Sequence, residues 1–118
     1  MIDFSLVKSQ HYLWNIKLRS FLTDQQAHLP EVSFIGAQQC YLGRWLYAQG
    51  LMQYSNFTDI FFLEKLHQQL HQSAHKIIQY KIDKKINLAY QELEDLKKIS
   101  EELSTVLDKL EQRMSSRV

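Results

Sequence analysis

The sequence predicts an all-α fold, and three observations carry that reading. Apolar residues recur at spacings of three and four, strand-like alternation is absent, and three glycines and one proline are the only such breakers in 118 residues. A chain of this kind folds as a few long helices, and the expected architecture is an antiparallel four-helix bundle. The length supplies one core and not two, so residues 1–114 are expected to form a single domain and 115–118 a frayed tail.

The first helix is expected from about Asp3 to Gln25, because Phe4, Val7, His11, Trp14, Leu18 and Phe21 follow the 3-4-3-4-3 spacing of a packed seam. His28 to Gly36 contains the one proline and reads as a connection, with His28 exposed and inert. The second helix, about Ala37 to Gln49, is apolar almost all round and so is expected between neighbours. Gly43 inside it costs ~1 kcal/mol relative to alanine, which signals a close approach by another backbone or a ligand. Gly50 and Gln53-Tyr54-Ser55-Asn56 form the next turn, with Ser55 or Asn56 as N-cap of the third helix. That helix runs to about Tyr80 on a stripe of Ile60, Leu63, Leu66, Leu70, Ala74, Ile77 and Ile78, and Asp83-Lys84-Lys85 turns the chain. The fourth helix continues to about Arg113, ~30 residues or ~45 Å, with an opposite face of alternating charge. Its apolar stripe is long enough that part of it is expected to lack cover within the chain, so a homodimer is expected, burying that excess or pairing the faces of the first and second helices.

A net charge of +1 points to no polyanionic partner and so to no nucleic acid. No apolar run approaches the ~18–20 residues of a membrane span, and Met1-Ile2-Asp3-Phe4 lacks the pattern of a signal peptide. A single cysteine excludes an intrachain disulfide and fits a reducing compartment, so a cytoplasmic protein is expected.

The chemistry-bearing residues begin with His67 and His71, which stand at i and i+4 on one helix face, where both can reach one metal ion. His67 falls inside the apolar stripe and His71 at its margin, while His75 rotates towards solvent and is read as a surface residue or an alternative to His71. A lone His-x-x-x-His is common without a metal. His11 sits in the seam of the first helix, where a buried imidazole needs a hydrogen-bond partner or a metal. Cys40, taken alone, reads as a small buried hydrophobe. In an up-down-up-down bundle, Cys40 lies ~14 Å above the turn between the second and third helices, His67 ~16 Å, and His11 ~12 Å above the matching end of the first helix. Those heights agree within one turn and leave a site shared by three helices feasible.

His11-x-x-Trp14, Cys40-Tyr41-Leu42-Gly43-Arg44-Trp45 and His67-x-x-x-His71, in this order, resemble the chemoreceptor zinc-binding domain family, over His11 to about Leu110. The Cys-x-Leu-Gly-x-Trp segment is the specific part. The resemblance implies His11, Cys40, His67 and His71 as four ligands to zinc, in a helical bundle, often dimeric, of the kind fused to bacterial chemoreceptors or diguanylate cyclases. Zinc occupancy or oxidation of the cysteine changes signalling output in that family. Ile82-Asp83 stands where the family often has Gly-Asp before its last helix. No receptor or cyclase module lies within the 118 residues, so a stand-alone member with such a partner in trans is expected.

Three imidazoles and a thiolate suit tetrahedral zinc, and four protein ligands leave no position for an activated water, so an enzyme is not expected. Glu64-x-x-His67 is half of a di-iron pattern, but no second half exists. Glu64 is read as a surface carboxylate pairing with Gln68 or Lys65, or as an acceptor for an imidazole N–H. Trp14 and Trp45 are expected to pack around the site. The expected function is a zinc-binding sensory or regulatory module coupled to chemotaxis or cyclic-di-GMP signalling, with Cys40 as the redox-sensitive ligand. The alternative is an adaptor homodimer in which zinc only staples the fold.

Overall fold

The computed structural model describes residues 2–23 and 36–115, and all regular structure among them is helical. The expected connection around His28 and the last three residues lie outside the described residues.

Helix α1 spans Phe4–Thr23. Asp3 starts it, its Oδ1 accepting the Leu6 N–H at 3.0 Å and its carbonyl the Val7 N–H at 3.1 Å. The seam is buried as the spacing predicts, at Phe4, Val7, His11, Leu18 and Phe21, with Trp14 partly buried. Helix α3 spans Thr58–Ile82 and buries its whole expected stripe, together with His67 and His71.

Helix α4 spans Ile86–Ser115. The turn before it is a Schellman motif: Lys84 N–H bonds Lys81 O and Lys85 N–H bonds Tyr80 O at 2.8 Å, with Lys84 in the left-handed region at φ 62°. A glycine normally takes that position without strain, and its absence here left the turn without its usual sequence mark.

Side-chain pairs set the directions of the long helices. Asn15 donates to Ser100 at 2.9 Å, and Lys8, nearer the start of α1, pairs with Asp108 further along α4. Ser73 meets Glu92, while Asp59, earlier in α3, meets Arg113 near the end of α4. Rising numbers on one helix meet falling numbers on the other, so α4 runs antiparallel to both α1 and α3. Lys81 lies over the Phe21 ring at 4.1 Å and His67 packs beside His11, so α1 and α3 run parallel. The α4 stripe is largely buried within the chain from Ala89 to Met114, while Ile86, Leu88 and Tyr90 at the start of the helix are exposed. Leu6, Tyr12, Leu13 and Ile16 on α1 are exposed as well.

The second helix departs most from expectation. Helix α2 covers residues 41–53 in three pieces: α-helical Tyr41–Trp45, π-helical Leu46–Gly50 and α-helical Leu51–Gln53. It starts after Cys40 and not at Ala37, because Cys40 is extended (φ −72°, ψ 166°) and serves as N-cap. It passes through Gly50 instead of turning there. The Leu51 N–H reaches back five residues to Leu46 O, and the Trp45 indole lies so close to Gly50 that a Cβ there would fall 2.8–3.0 Å from the ring. Neither Ser55 nor Asn56 caps α3. Phe57 holds that place without a side-chain hydrogen bond and stacks on Tyr54 at 6.1 Å, so aromatic packing sets the turn.

Candidate metal centre

Three local devices bring the four singled-out residues to the site. His11 is on α1, four residues after Val7, and its Nδ1–H donates to the Val7 carbonyl at 2.8 Å. That bond fixes the tautomer, leaving Nε2 as the bare nitrogen. His67 and His71 stand one turn apart on α3, their Nε2 atoms 3.1 Å from each other. Cys40 is held by the turn from Gly36, whose carbonyl accepts the Gln39 and Cys40 N–H groups. Its Sγ lies 3.0 Å from His67 Nε2 and accepts the Gly43 N–H at 3.4 Å.

Gly43 explains the tight fit of this turn. A Cβ there would overlap the Ala37 carbonyl oxygen and lie 2.7 Å from the carbonyl carbon. The close approach expected from sequence is therefore made by the chain's own backbone, just before the cysteine.

The four donors come together: one ligand atom from each of His11, Cys40, His67 and His71 lies within 4.8 Å of the others, and all four residues are buried. Tetrahedral zinc with Zn–N near 2.0–2.1 Å and Zn–S near 2.3 Å sets its donors ~3.3–3.6 Å apart. The 3.0 and 3.1 Å contacts lie a few tenths of an ångström inside that range, and the remaining donor pairs lie within 4.8 Å.

The chemistry of the donor set gives the same answer. Burial and the bond to Val7 leave His11 Nε2 with no hydrogen-bond partner among the described residues, a cost that a bound cation would remove. Burial pushes the His11 imidazole down to about 4, against the Val7 bond that raises it. His67 goes down to about 2, from burial first and then from His11 and His71 beside it. Both rings are therefore neutral near pH 7, the form that binds metal. Burial raises the Cys40 thiol, opposed by the N–H groups of Gly43 and Leu42 and by Arg44. Cys40 thus carries its proton in the metal-free chain, where Sγ also lies 3.8 Å from Ala37 O, and would release it to a bound metal.

Trp14 closes the site as expected, its ring edge-on to His11 at 5.0 Å and to His71 at 5.1 Å. Trp45 instead packs with Tyr54 at 6.0 Å and over Gly50. Gln68 donates to the Tyr47 hydroxyl at 2.9 Å, and burial first and then the nearby Glu64 carboxylate raise that hydroxyl. His75 is exposed and outside the four-residue cluster.

Sequence reasoning missed the supporting atoms, namely the Val7 carbonyl, the Gly43 N–H and the cap role of Cys40. A histidine four residues after a helical carbonyl, and a glycine at the third position after a thiol, are the signals that carry them.

Residues 11–78, more than half of the chain, match the family model described as the chemoreceptor zinc-binding domain. The matched stretch begins at His11, includes Cys40, His67 and His71, and stops short of α4, where the resemblance had been expected to reach Leu110. No curated protein and no solved structure matches the chain.

Proposed function

The chain belongs to the chemoreceptor zinc-binding domain family, and from that premise we propose that it is a zinc-binding sensory or regulatory module whose ligands are His11, Cys40, His67 and His71. The observation that carries this reading is the convergence of four buried donors, one of them the otherwise unpartnered His11 Nε2. A bound zinc ion would supply a closed tetrahedral anchor joining α1, the Cys40 turn and α3. With four protein donors it offers no open position to a substrate, so the module regulates and does not catalyse. We place the site within one antiparallel four-helix bundle formed by residues 1–114.

The signal enters through the metal site. Zinc supply sets occupancy, and Cys40 is the ligand that oxidants change. Hydrogen peroxide or hypochlorous acid transfers an oxygen atom to the sulfur, giving a sulfenic acid while the oxidant is reduced to water or chloride. The oxidised sulfur is a poorer donor, and the Cys40 turn loosens from α1 and α3. The output is a receptor or diguanylate cyclase of the chemotaxis or cyclic-di-GMP class. Leu6, Leu13 and Ile16, exposed on α1, support a homodimer through that face. A free cysteine in the centre fits a reducing, cytoplasmic setting, and no described helix is long and apolar enough to cross a membrane.

A second reading is favoured by burial: Trp14 covers two of the imidazoles, and zinc shielded in this way would staple the fold without sensing. Metal analysis of the purified chain tests the shared premise. About one zinc per chain is expected, with strong loss of affinity in Cys40→Ala and in His67→Ala. Wild-type affinity in both variants removes the assignment. Zinc release in step with Cys40 oxidation then separates the sensor from the staple.

A further inference from the structure

His67, His71 and His75 form a ladder on α3. Each step of four residues climbs ~6 Å and turns ~40° about the axis. Along that ladder the imidazoles pass from the core to solvent: His67 is 1% exposed, His71 3%, and His75 is exposed. A cleft of about 320 Å³ lies over the outer two, lined by His71, His75, Gln68, Gln72 and Tyr47 among others. His71 thus belongs at once to the buried four-donor cluster and to an open cleft that also holds a second imidazole.

Two other clefts touch the centre. One, of about 420 Å³, is lined by His11 together with Lys8 and Glu101. The other, of about 210 Å³, is lined by Cys40 and Trp14 together with Lys17 and Arg44. Fixed cations repel an incoming dication. Among the described residues no lysine or arginine lines the His71 cleft. Of these three clefts it therefore gives a metal ion the approach with least repulsion, from the His75 side.

We infer that His75 and His71 form an outer capture site through which zinc enters and leaves the buried centre. The inference rests on the zinc reading above. His75 and His71 take the hydrated ion first, displacing two of its waters. His71 keeps its bond while His67, Cys40 and His11 replace His75 and the remaining waters. The Cys40 proton passes to solvent as the Zn–S bond forms, and release retraces the same steps. Since His75 is bonded only on the way, it changes both rates and leaves the end states alone.

The test is stopped-flow transfer of zinc between the full chain and a chromogenic chelator, in both directions, for wild type, His75→Ala and His71→Ala. In His75→Ala, uptake and release are both expected to slow about fivefold, leaving the equilibrium constant within about twofold of wild type. Unchanged rates in His75→Ala overturn the capture site. Faster release with weakened equilibrium binding also overturns it, because His75 would then be a ligand of the end state. His71→Ala guards the premise, since it must weaken equilibrium binding. If it does so while His75→Ala leaves both rates untouched, only the capture site fails. If His71→Ala binds zinc as wild type does, the ligand assignment itself fails.

Discussion

The two elements that bring most of the donors, α3 and the Cys40 turn with α2, are built in opposite ways. Helix α3 is regular for 25 residues and buries one continuous stripe. Its two imidazoles are set by helix geometry alone, and α4 packs along it. Helix α2 is 41–53 broken by a π-helical turn, and its cysteine stands outside the helix as a cap. What fixes Cys40 is a carbonyl pressed against Gly43, a weak N–H···S bond and contact with His67. One arm of the centre is thus held by regular helix packing, and the other would be completed by a bound metal. A regulatory site would gain from that asymmetry, because loss of the ion would loosen one arm and leave the other standing.

Removing the metal should have the largest effect and should divide the molecule along this line. A ligand at a thousandfold excess over Kd adds ~4 kcal/mol of apparent stability, so chelation should lower Tm by several degrees. Hydrogen exchange should rise across residues 36–53 and change little across 63–78. Equal rises in both segments would erase the contrast. Gly43→Ala should be next, costing on the order of 3 kcal/mol in thermal or urea unfolding and weakening zinc binding, since the turn must move to admit the methyl group. A stable variant with normal zinc affinity would show that the turn is looser than drawn.

Acid sharpens the comparison without touching the sequence. His11 and His67 have folded values of about 4 and about 2, below the ordinary 6.5, so the unfolded metal-free chain binds more protons than the folded one as pH falls. Their contribution is complete above pH 6.5 and is lost towards pH 4 for His11 and towards pH 2 for His67, the first amounting to ~3 kcal/mol. Cys40 works in the other direction: burial raises its thiol, so its contribution is complete below the ordinary value of 9.0 and declines above it. Urea unfolding of the metal-free chain against pH should show a plateau between those limits. A stability that stays flat from pH 7 to pH 4 would contradict the buried, neutral imidazoles. The smallest effect belongs to the α3–α4 turn, far from the ligands in sequence. Lys84→Gly should stabilise by about 1 kcal/mol by relieving the left-handed residue, with zinc binding unaltered.

The same contrast governs what could be read from the sequence. Helix α3 was legible because its apolar period, its histidine spacing and its partner α4 all obey the same 3.6-residue repeat. The four candidate ligands were named through Cys40-x-Leu42-Gly43-x-Trp45 and the two histidine motifs, and the structure gathers those residues. Periodicity has no means of marking a π-helical turn, so Gly50 was read as a break when it is a flat surface for Trp45. The polar Ser55 and Asn56 offered better caps than Phe57, but stacking on Tyr54 outweighed one hydrogen bond. Homodimerisation was expected through the excess length of α4 or the faces of the first two helices; α4 is largely covered from Ala89 onwards, and exposed apolar residues lie at its start and on α1.

The central claim is that three imidazoles and one thiolate hold a single zinc ion. X-ray absorption at the zinc edge of the purified chain tests it most directly. The expected first shell has three nitrogens at ~2.0–2.1 Å and one sulfur at ~2.3 Å, with the sulfur absent in Cys40→Ala. A wild-type shell without sulfur, or a shell unchanged in Cys40→Ala, would contradict it.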